Sequence, residues 1–171
     1  KAAILLNTEP AFDAAAGAKG LEQADMVITL SPFKANLDIS DVLLPVAPFT
    51  ETSGTFVNAE GRVQSFHAVV KPLGETRPAW KVLRVLANLL ELPGFDYESS
   101  QDVLTAAIGA ETKEVPSALR SNITKVAAKV PENEAAEPVT ASIYQLDGIV
   151  RRATSLQLTA DARLAREGGA A

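Results

Sequence analysis

Three short, almost entirely apolar segments constrain the fold of this chain more than any other feature. They lie at residues 3–7, 26–30 and 42–45. A strand that is apolar at successive positions is buried on both faces, which is typical of a parallel sheet covered by helices. A helix pattern that begins at Pro10 and includes Ala15 and Ala16 separates the first two segments. We therefore predict an α/β fold with an open, mainly parallel sheet flanked by helices.

The pattern changes in the next part of the chain. Two short extended stretches flank a four-residue turn that ends at Gly61, and glycine tolerates the positive φ that such a turn requires. A helix pattern follows, with Pro78 in its first turn, apolar residues repeating along one face, and Pro93 as its stop. We predict a β-hairpin followed by an amphipathic helix.

Beyond residue 92 the signals weaken, and we predict mostly helix. Ser99 and Asp102 have the spacing of a capping box at the start of one helix. A second helix is expected before Pro131, and a last one from residue 142 to residue 158. The predicted regions are an α/β region at 1–92, a helical segment with an acidic linker at 93–138, and a C-terminal helical extension at 139–171.

The composition excludes several classes of site and partner. No residue is cysteine and one is histidine, so iron–sulfur clusters, disulfides and cysteine–zinc sites cannot form within the chain. The formal net charge is −5 with scattered basic residues, whereas a nucleic-acid partner requires a basic face. No apolar run approaches the roughly 20 residues of a membrane-spanning helix, so we predict no direct membrane insertion. Because the chain opens on Lys1 and enters a strand at once, we expect a piece of a longer protein.

Nucleotide binding is the first alternative function for such a sheet. The phosphate loop of a Rossmann domain needs closely spaced glycines directly after the first strand. Here that turn is residues 7–10, which contain no glycine and place Glu9 where a phosphate would lie. Catalysis by His67 is a second alternative, but Ser65 lies in the same predicted strand and does not suit a catalytic triad. We predict no catalytic residue and no metal ligand.

The most informative stretch runs from residue 39 to residue 64. Glu51, Glu60 and Arg62 can form an ion-pair cluster that fixes the loop, or they can face a ligand, and the residue types suit both roles. We predict that Arg62 pairs with Glu51 or Glu60, because a guanidinium group matches the geometry of a carboxylate. The residues that would face a ligand, if one binds, are Glu51, Gly54, Asn58, Glu60, Gly61 and Arg62.

This stretch resembles the molybdopterin oxidoreductase superfamily, whose large subunits carry a strand A-D-V-x-L-P followed by E-x-x-G-T-x-x-N-x-E-G-R. The matching positions are Asp41, Val42, Leu44, Pro45, Glu51, Gly54, Thr55, Asn58, Glu60, Gly61, Arg62 and Gln64. Ser40 stands where alanine is usual. Within the superfamily, the chain looks most like the large iron–sulfur subunit (G subunit) of bacterial NADH:quinone oxidoreductase, or respiratory complex I. The supporting stretches are residues 5–10, 28–33, 69–83 and 144–153.

The resemblance to the complex I subunit implies a C-terminal structural and interaction region that holds no redox centre or cofactor. The motif at residues 51–62, here called the hairpin motif, would then be a relic of the superfamily scaffold. The parent subunit would bind 4Fe-4S and 2Fe-2S clusters upstream, and electrons would pass from NADH to quinone. The implied partners are other subunits of the peripheral arm, on the cytoplasmic side of the bacterial inner membrane. The alternative is a fragment of a molybdopterin-dependent oxidoreductase, similar to formate dehydrogenase, that still binds a pterin cofactor.

Overall fold

The computed structural model of the chain describes residues 1–14, 17–109 and 142–168. These residues group into two compact units. Unit 1 combines residues 1–44 with residues 133–171, and unit 2 comprises residues 45–132. The helix predicted before Pro131 and the acidic linker lie outside the described residues.

A three-stranded parallel sheet forms the centre of unit 1, as the sequence predicts. Its strands are β1 (Ala2–Leu6), β2 (Met26–Ser31) and β3 (Val42–Pro45), in that spatial order. Strands β1 and β2 pair from Ala2 opposite Met26 to Leu6 opposite Leu30. The expectation of strands buried on both faces holds only for the central strand, because in β1 the side chains of Ile4 and Leu6 are 47% and 42% exposed.

Polar groups fix the register of the central strand β2. Thr29 is fully buried, and its hydroxyl lies 2.7 Å from the hydroxyl of Ser40. The backbone N–H of Val27 donates to the carboxylate of Asp41 at 2.7 Å, and the N–H of Asp41 donates to the carbonyl of Val27 at 2.9 Å. A buried hydroxyl without a partner would cost stability, so these bonds determine how the connection to β3 packs on the sheet.

The connection between β1 and β2 contains a short helix, α1 (Pro10–Asp13), and a 3-10 turn at Lys19–Leu21. The sequence predicts a longer helix that includes Ala15 and Ala16, but α1 ends at Asp13, where Ala14 adopts an extended conformation. Ala15 and Ala16 lie outside the described residues. The connection nevertheless links two parallel neighbouring strands, as a crossover must.

The described C-terminal residues of unit 1 fold as three short helices, and the first two of them replace the single helix predicted from residue 142 to residue 158. They are α4 (Gly148–Arg152), α5 (Thr154–Gln157) and α6 (Ala160–Gly168). The side chain of Asp147 accepts hydrogen bonds from the N–H groups of Ile149 and Val150 and so starts α4. An extended residue, Ala153, then ends α4.

The described residues of unit 2 contain the predicted hairpin and the two helices predicted directly after it. Strands β4 (Gly54–Val57) and β5 (Val63–Phe66) pair antiparallel, and they precede α2 (Ala79–Leu89) and α3 (Ser100–Ile108). Pro78 directly precedes the first residue of α2. The capping box is confirmed, because the Ser99 hydroxyl accepts from the Asp102 N–H at 3.1 Å and the Asp102 carboxylate accepts from the Ser99 N–H at 2.8 Å. Within the described ranges, no helix has the length and apolar character needed to cross a membrane.

Candidate functional site

The turn of the β4–β5 hairpin is built by Asn58 and Gly61. The side-chain oxygen of Asn58 accepts hydrogen bonds from the backbone N–H groups of Glu60 at 3.0 Å and Arg62 at 2.9 Å. The backbone N–H of Asn58 donates to the backbone carbonyl of Arg62 at 3.1 Å. Gly61 has a φ of 82°, a left-handed conformation that a residue with a Cβ atom adopts at a cost. Both residues of the motif therefore serve the hairpin itself.

Gly54 makes room for an aromatic pair in the same hairpin. A Cβ atom at this position would lie 2.9 Å from the ring of Phe66, which is closer than such contacts normally come. The Phe66 ring stacks on Phe56 with 4.9 Å between ring centroids, a favourable arrangement for two aromatic side chains. The glycine of the motif thus has a packing role in the hairpin.

The acidic residues of the motif also have partners within unit 2. The carboxylate of Glu51 accepts a hydrogen bond from the N–H of Leu73 at 2.9 Å. Glu60 and Arg62 form an ion pair at 4.0 Å, with side chains that are 78% and 62% exposed. The prediction that an acidic residue holds Arg62 is confirmed for Glu60. No such ion pair between Arg62 and Glu51 is found in the described part of the chain.

Two side chains of the hairpin motif are engaged within the chain itself. A pterin with its phosphate requires several free donors and acceptors that converge on one cavity. Asn58 and Glu51 use side-chain oxygens on nearby backbone N–H groups, and Glu51 also lines a cavity of about 580 Å³. Arg62 lies on the surface beside Glu60. Among the described residues, no cluster of three or more His, Cys, Asp or Glu side chains could hold a metal ion. The role of these residues in ligand binding stays a prediction.

A cleft in unit 1 lies where the chain leaves the carboxyl end of β1. Asn7 continues the sheet by donating its N–H to the carbonyl of Leu30 at 2.9 Å, and Asn36 donates its side-chain amide to the carbonyl of Thr8 at 2.9 Å. The cleft has a volume of about 620 Å³. Its lining residues are Glu9, Phe12, Ser142, Gln145, Arg151, Arg152, Ala162, Ala165 and Arg166.

Four charged side chains form an ion-pair network at this cleft. Arg151 contacts Glu9 and Asp13, each at 3.1 Å. Arg152 binds both carboxylate oxygens of Glu9, at 2.8 Å and 3.0 Å, which is the bidentate geometry that favours arginine over lysine. The side chains of Arg151 and Glu9 are only 7% and 14% exposed. Partly buried pairs of this kind are screened far less than surface pairs.

Two aromatic rings complete the surroundings of the arginines. The guanidinium carbon of Arg151 lies 4.7 Å from the ring centroid of Phe12, and that of Arg152 lies 4.2 Å from the ring centroid of Phe33. These distances suit cation–π attraction. Phe12 belongs to α1, and Phe33 follows β2, so each arginine covers one of the loops at the carboxyl edge of the sheet.

The network lowers the pKa of both carboxyl groups. For Glu9 the hydrogen bond from Arg152 has the largest effect and outweighs burial, which acts in the opposite direction. For Asp13 burial is the largest single influence, and it raises the pKa. The hydrogen bonds from the Glu9 N–H and the Arg151 guanidinium together outweigh burial, so that the pKa is lowered. Both side chains are therefore ionised at neutral pH.

The sequence predicts the hairpin motif as the candidate site and does not predict this network. In the sequence, Glu9 argues only against a phosphate loop, and no pattern marks Arg151 or Arg152 as site residues. Glu9 lies more than 140 positions from Arg151 and Arg152, so no local spacing indicates the contact. For the rejected catalytic alternative, the structure shows that Ser65 bonds to the Thr55 hydroxyl across the hairpin at 3.0 Å.

Comparison with known proteins extends the interpretation. A protein named "Putative formate dehydrogenase" from Staphylococcus aureus (strain bovine RF122 / ET3-1) is 39% identical over 77 residues, which are 44% of this chain and 8% of that protein. "Probable oxidoreductase YjgC" of Bacillus subtilis (strain 168) is 40% identical over 70 residues, which are 41% of this chain and 7% of that protein. The chain thus spans less than a tenth of the length of these relatives.

The sequence pattern of one protein family matches residues 1–89, which include the whole parallel sheet and the hairpin motif. That match covers just over half of the 171 residues. The helices α4, α5 and α6 lie beyond it. The chain belongs to the molybdopterin oxidoreductase family.

Proposed function

We propose that this chain is a structural part of the large subunit of a molybdopterin-family oxidoreductase. Family membership over the sheet and hairpin supports this proposal. The single observation that carries it is the hairpin motif, whose Asn58, Gly54 and Glu51 make internal contacts. In this role the chain holds the fold of the subunit together, and the redox centres belong to other parts of the parent protein.

For the parent reaction we propose first an oxidation of the formate dehydrogenase type. The names of the relatives support this choice, since several are named as formate dehydrogenases at 32–39% identity. A parent of this kind would hold a pterin cofactor mainly through residues outside the described part of this chain. The contribution of the chain would be to support that site mechanically.

A second parent reaction is electron transfer from NADH to quinone by respiratory complex I. The observation that favours it is the C-terminal stretch around residues 144–153, which resembles the large iron–sulfur subunit of that complex and lies outside the family match. In the structure this stretch carries Arg151 and Arg152 onto Glu9. The proposed parent would bind 4Fe-4S and 2Fe-2S clusters upstream, contact other peripheral-arm subunits, and lie on the cytoplasmic side of the inner membrane.

Purification of the full-length parent protein with its bound partners tests both versions. The formate dehydrogenase version predicts molybdenum or tungsten with an extractable pterin and formate-dependent reduction of an artificial acceptor. The complex I version predicts iron and sulfide without a pterin, together with co-purifying NADH dehydrogenase activity. A parent that contains neither a pterin nor iron would contradict the proposed function in both versions.

A further inference from the structure

In unit 1 the carboxyl edge of the parallel sheet is covered by the chain's own C-terminal segment. Open α/β sheets bind their ligands in the crevice outside the carboxyl ends of their strands. Here the loops after β1 and β2 provide Glu9 and Phe33 to that edge, and the arginines of α4 lie on both. The position that such a fold offers to a ligand is thus lined by a segment of the same chain, which narrows it to the cleft of about 620 Å³ described above.

The contacts that hold this segment are numerous and directional. Arg152 binds Glu9 through two oxygens, and Arg151 bridges Glu9 and Asp13 while donating to the carbonyl of Gln145 at 2.6 Å. Gly148 brings the start of α4 close to the carboxylate, because a Cβ atom there would lie 3.4 Å from a Glu9 oxygen. The segment therefore reaches the edge with its backbone as well as its side chains.

The segment is also organised internally by a buried glutamine. The Gln157 side chain is 7% exposed, and its amide donates to the carbonyls of Tyr144 at 2.9 Å and Val150 at 2.8 Å. Its oxygen accepts from Arg166 at 2.6 Å. These bonds connect α4, α5 and α6, so that the segment covers the edge as one packed body.

Two carboxylates at this edge oppose an anionic ligand, while a third arginine, Arg166, also lines the cleft and donates to the Gln157 side-chain oxygen. Glu9 and Asp13 neutralise Arg151 and Arg152, and the Glu9 carboxylate occupies the place after β1 where a phosphate would lie. The buried Nε of Arg151 has no acceptor among the residues that the structure describes, and an anion bound in the cleft would supply one. A titration with an anion separates the two explanations.

We propose that residues 142–168, here called the plug, close the carboxyl edge of the unit 1 sheet so that it takes no phosphate-bearing ligand. This inference goes beyond the proposed function, because it concerns what occupies an edge of this chain and not which reaction the parent catalyses. It makes Glu9 the anchor on the sheet and the paired arginines the anchor on the plug.

Hydrogen exchange on the full chain tests whether the plug is held as described. In Arg151→Ala/Arg152→Ala, we expect amides of α4 and α5 to exchange at least about tenfold faster, while β2 amides keep their protection. Glu9→Gln removes the charge without changing the shape and should give the same pattern more weakly. The matched control is Arg163→Ala, an exposed arginine of α6, which should leave exchange unchanged.

Two exchange results would overturn the proposal. One is plug amides that exchange at the wild-type rate in the double arginine variant. The other is loss of protection in β2 for both the arginine variant and Glu9→Gln, since the residues would then build the core of the unit and not close an edge.

Calorimetric titration with inorganic diphosphate tests whether the edge is closed to anions. We expect no measurable binding of diphosphate by the wild type and binding by Glu9→Gln that is at least about tenfold tighter, because the arginines of the variant have lost the carboxylate that neutralises them. Glu22→Gln, an exposed position in the same unit, changes the net charge equally and should behave as the wild type. If the wild type binds diphosphate as tightly as Glu9→Gln and loses it in Arg152→Ala, the cleft is an anion site and the plug proposal is wrong.

Discussion

Asn58 and Arg62 match the same family motif, yet their side chains have different structural roles. The Asn58 oxygen accepts two backbone hydrogen bonds within the turn, whereas Arg62 forms one long ion pair on the surface. A bond that closes a turn is made in the folded state with fixed geometry, while an exposed ion pair is screened by water and salt. Residues that match the same family motif can therefore contribute unequally to the stability of the hairpin.

This difference predicts unequal losses of stability on substitution. Arg62→Ala should lower the free energy of unfolding of unit 2 by less than about 1 kcal/mol, and Asn58→Ala by about 1–2 kcal/mol. Urea unfolding followed by the fluorescence of Trp80, which is the sole tryptophan of the chain, measures both. A larger loss for Arg62→Ala than for Asn58→Ala would contradict the assignment of the turn to Asn58.

Sequence distance decides which side-chain contacts could be predicted. The pairing of Arg62 with Glu60 follows from residues two positions apart in one hairpin, and the capping box of Ser99 and Asp102 follows from a spacing of three. The contact of Glu9 with Arg151 and Arg152 joins distant parts of the chain. It depends on how α4 packs on the sheet, and no local pattern carries that information.

At the scale of elements, the largest departure from prediction is the C-terminal segment. Its apolar residues suggest one helix, but Asp147 and Ala153 bracket a helix of five residues. The short α4 places consecutive arginines on Glu9, and Gln157 ties the following helices to it. Tertiary hydrogen bonds thus override the helical pattern of the sequence.

The attachment of α4 to the loop after β1 should weaken in acid. Glu9 and Asp13 have pKa values below their ordinary 4.5 and 3.8. A lowered folded-state pKa adds stability above the unfolded-state pKa, and this stability is lost as the pH falls through the folded-state pKa. Hydrogen exchange of α4 amides, corrected for intrinsic rates, should therefore show less protection below about pH 4 than at pH 7.

Glu9→Gln provides the control for this pH dependence. The difference in α4 protection between the wild type and this variant should be largest at pH 7 and should decrease as the pH falls. The reason is that the protonated Glu9 carboxyl group of the wild type is uncharged, like the glutamine amide of the variant. A difference that stays constant from pH 7 to pH 3 would show that the charge of Glu9 does not hold α4. The raised pKa of Arg151 affects only strongly alkaline conditions.

For the whole molecule, the structure confirms the architecture that the sequence predicts. The parallel sheet, the hairpin and the helices α2 and α3 all follow from apolar patterns, glycines and caps. The exposure of Ile4 and Leu6 in β1 does not follow from the sequence. An apolar pattern shows which residues can be buried, but it does not show which other residues cover them. The predicted region boundaries after residues 92 and 138 stay predictions.

The central claim is that the hairpin motif supports the fold and does not hold a cofactor. The most direct measurement is the pterin and molybdenum content of the full-length parent protein, for the wild type and for Arg62→Ala, with Arg77→Ala as control. Arg77 is a similarly exposed arginine of unit 2, paired with Glu75. The account predicts the same content per protein in all three. Loss of the pterin in Arg62→Ala alone, with unfolding unchanged, would contradict it.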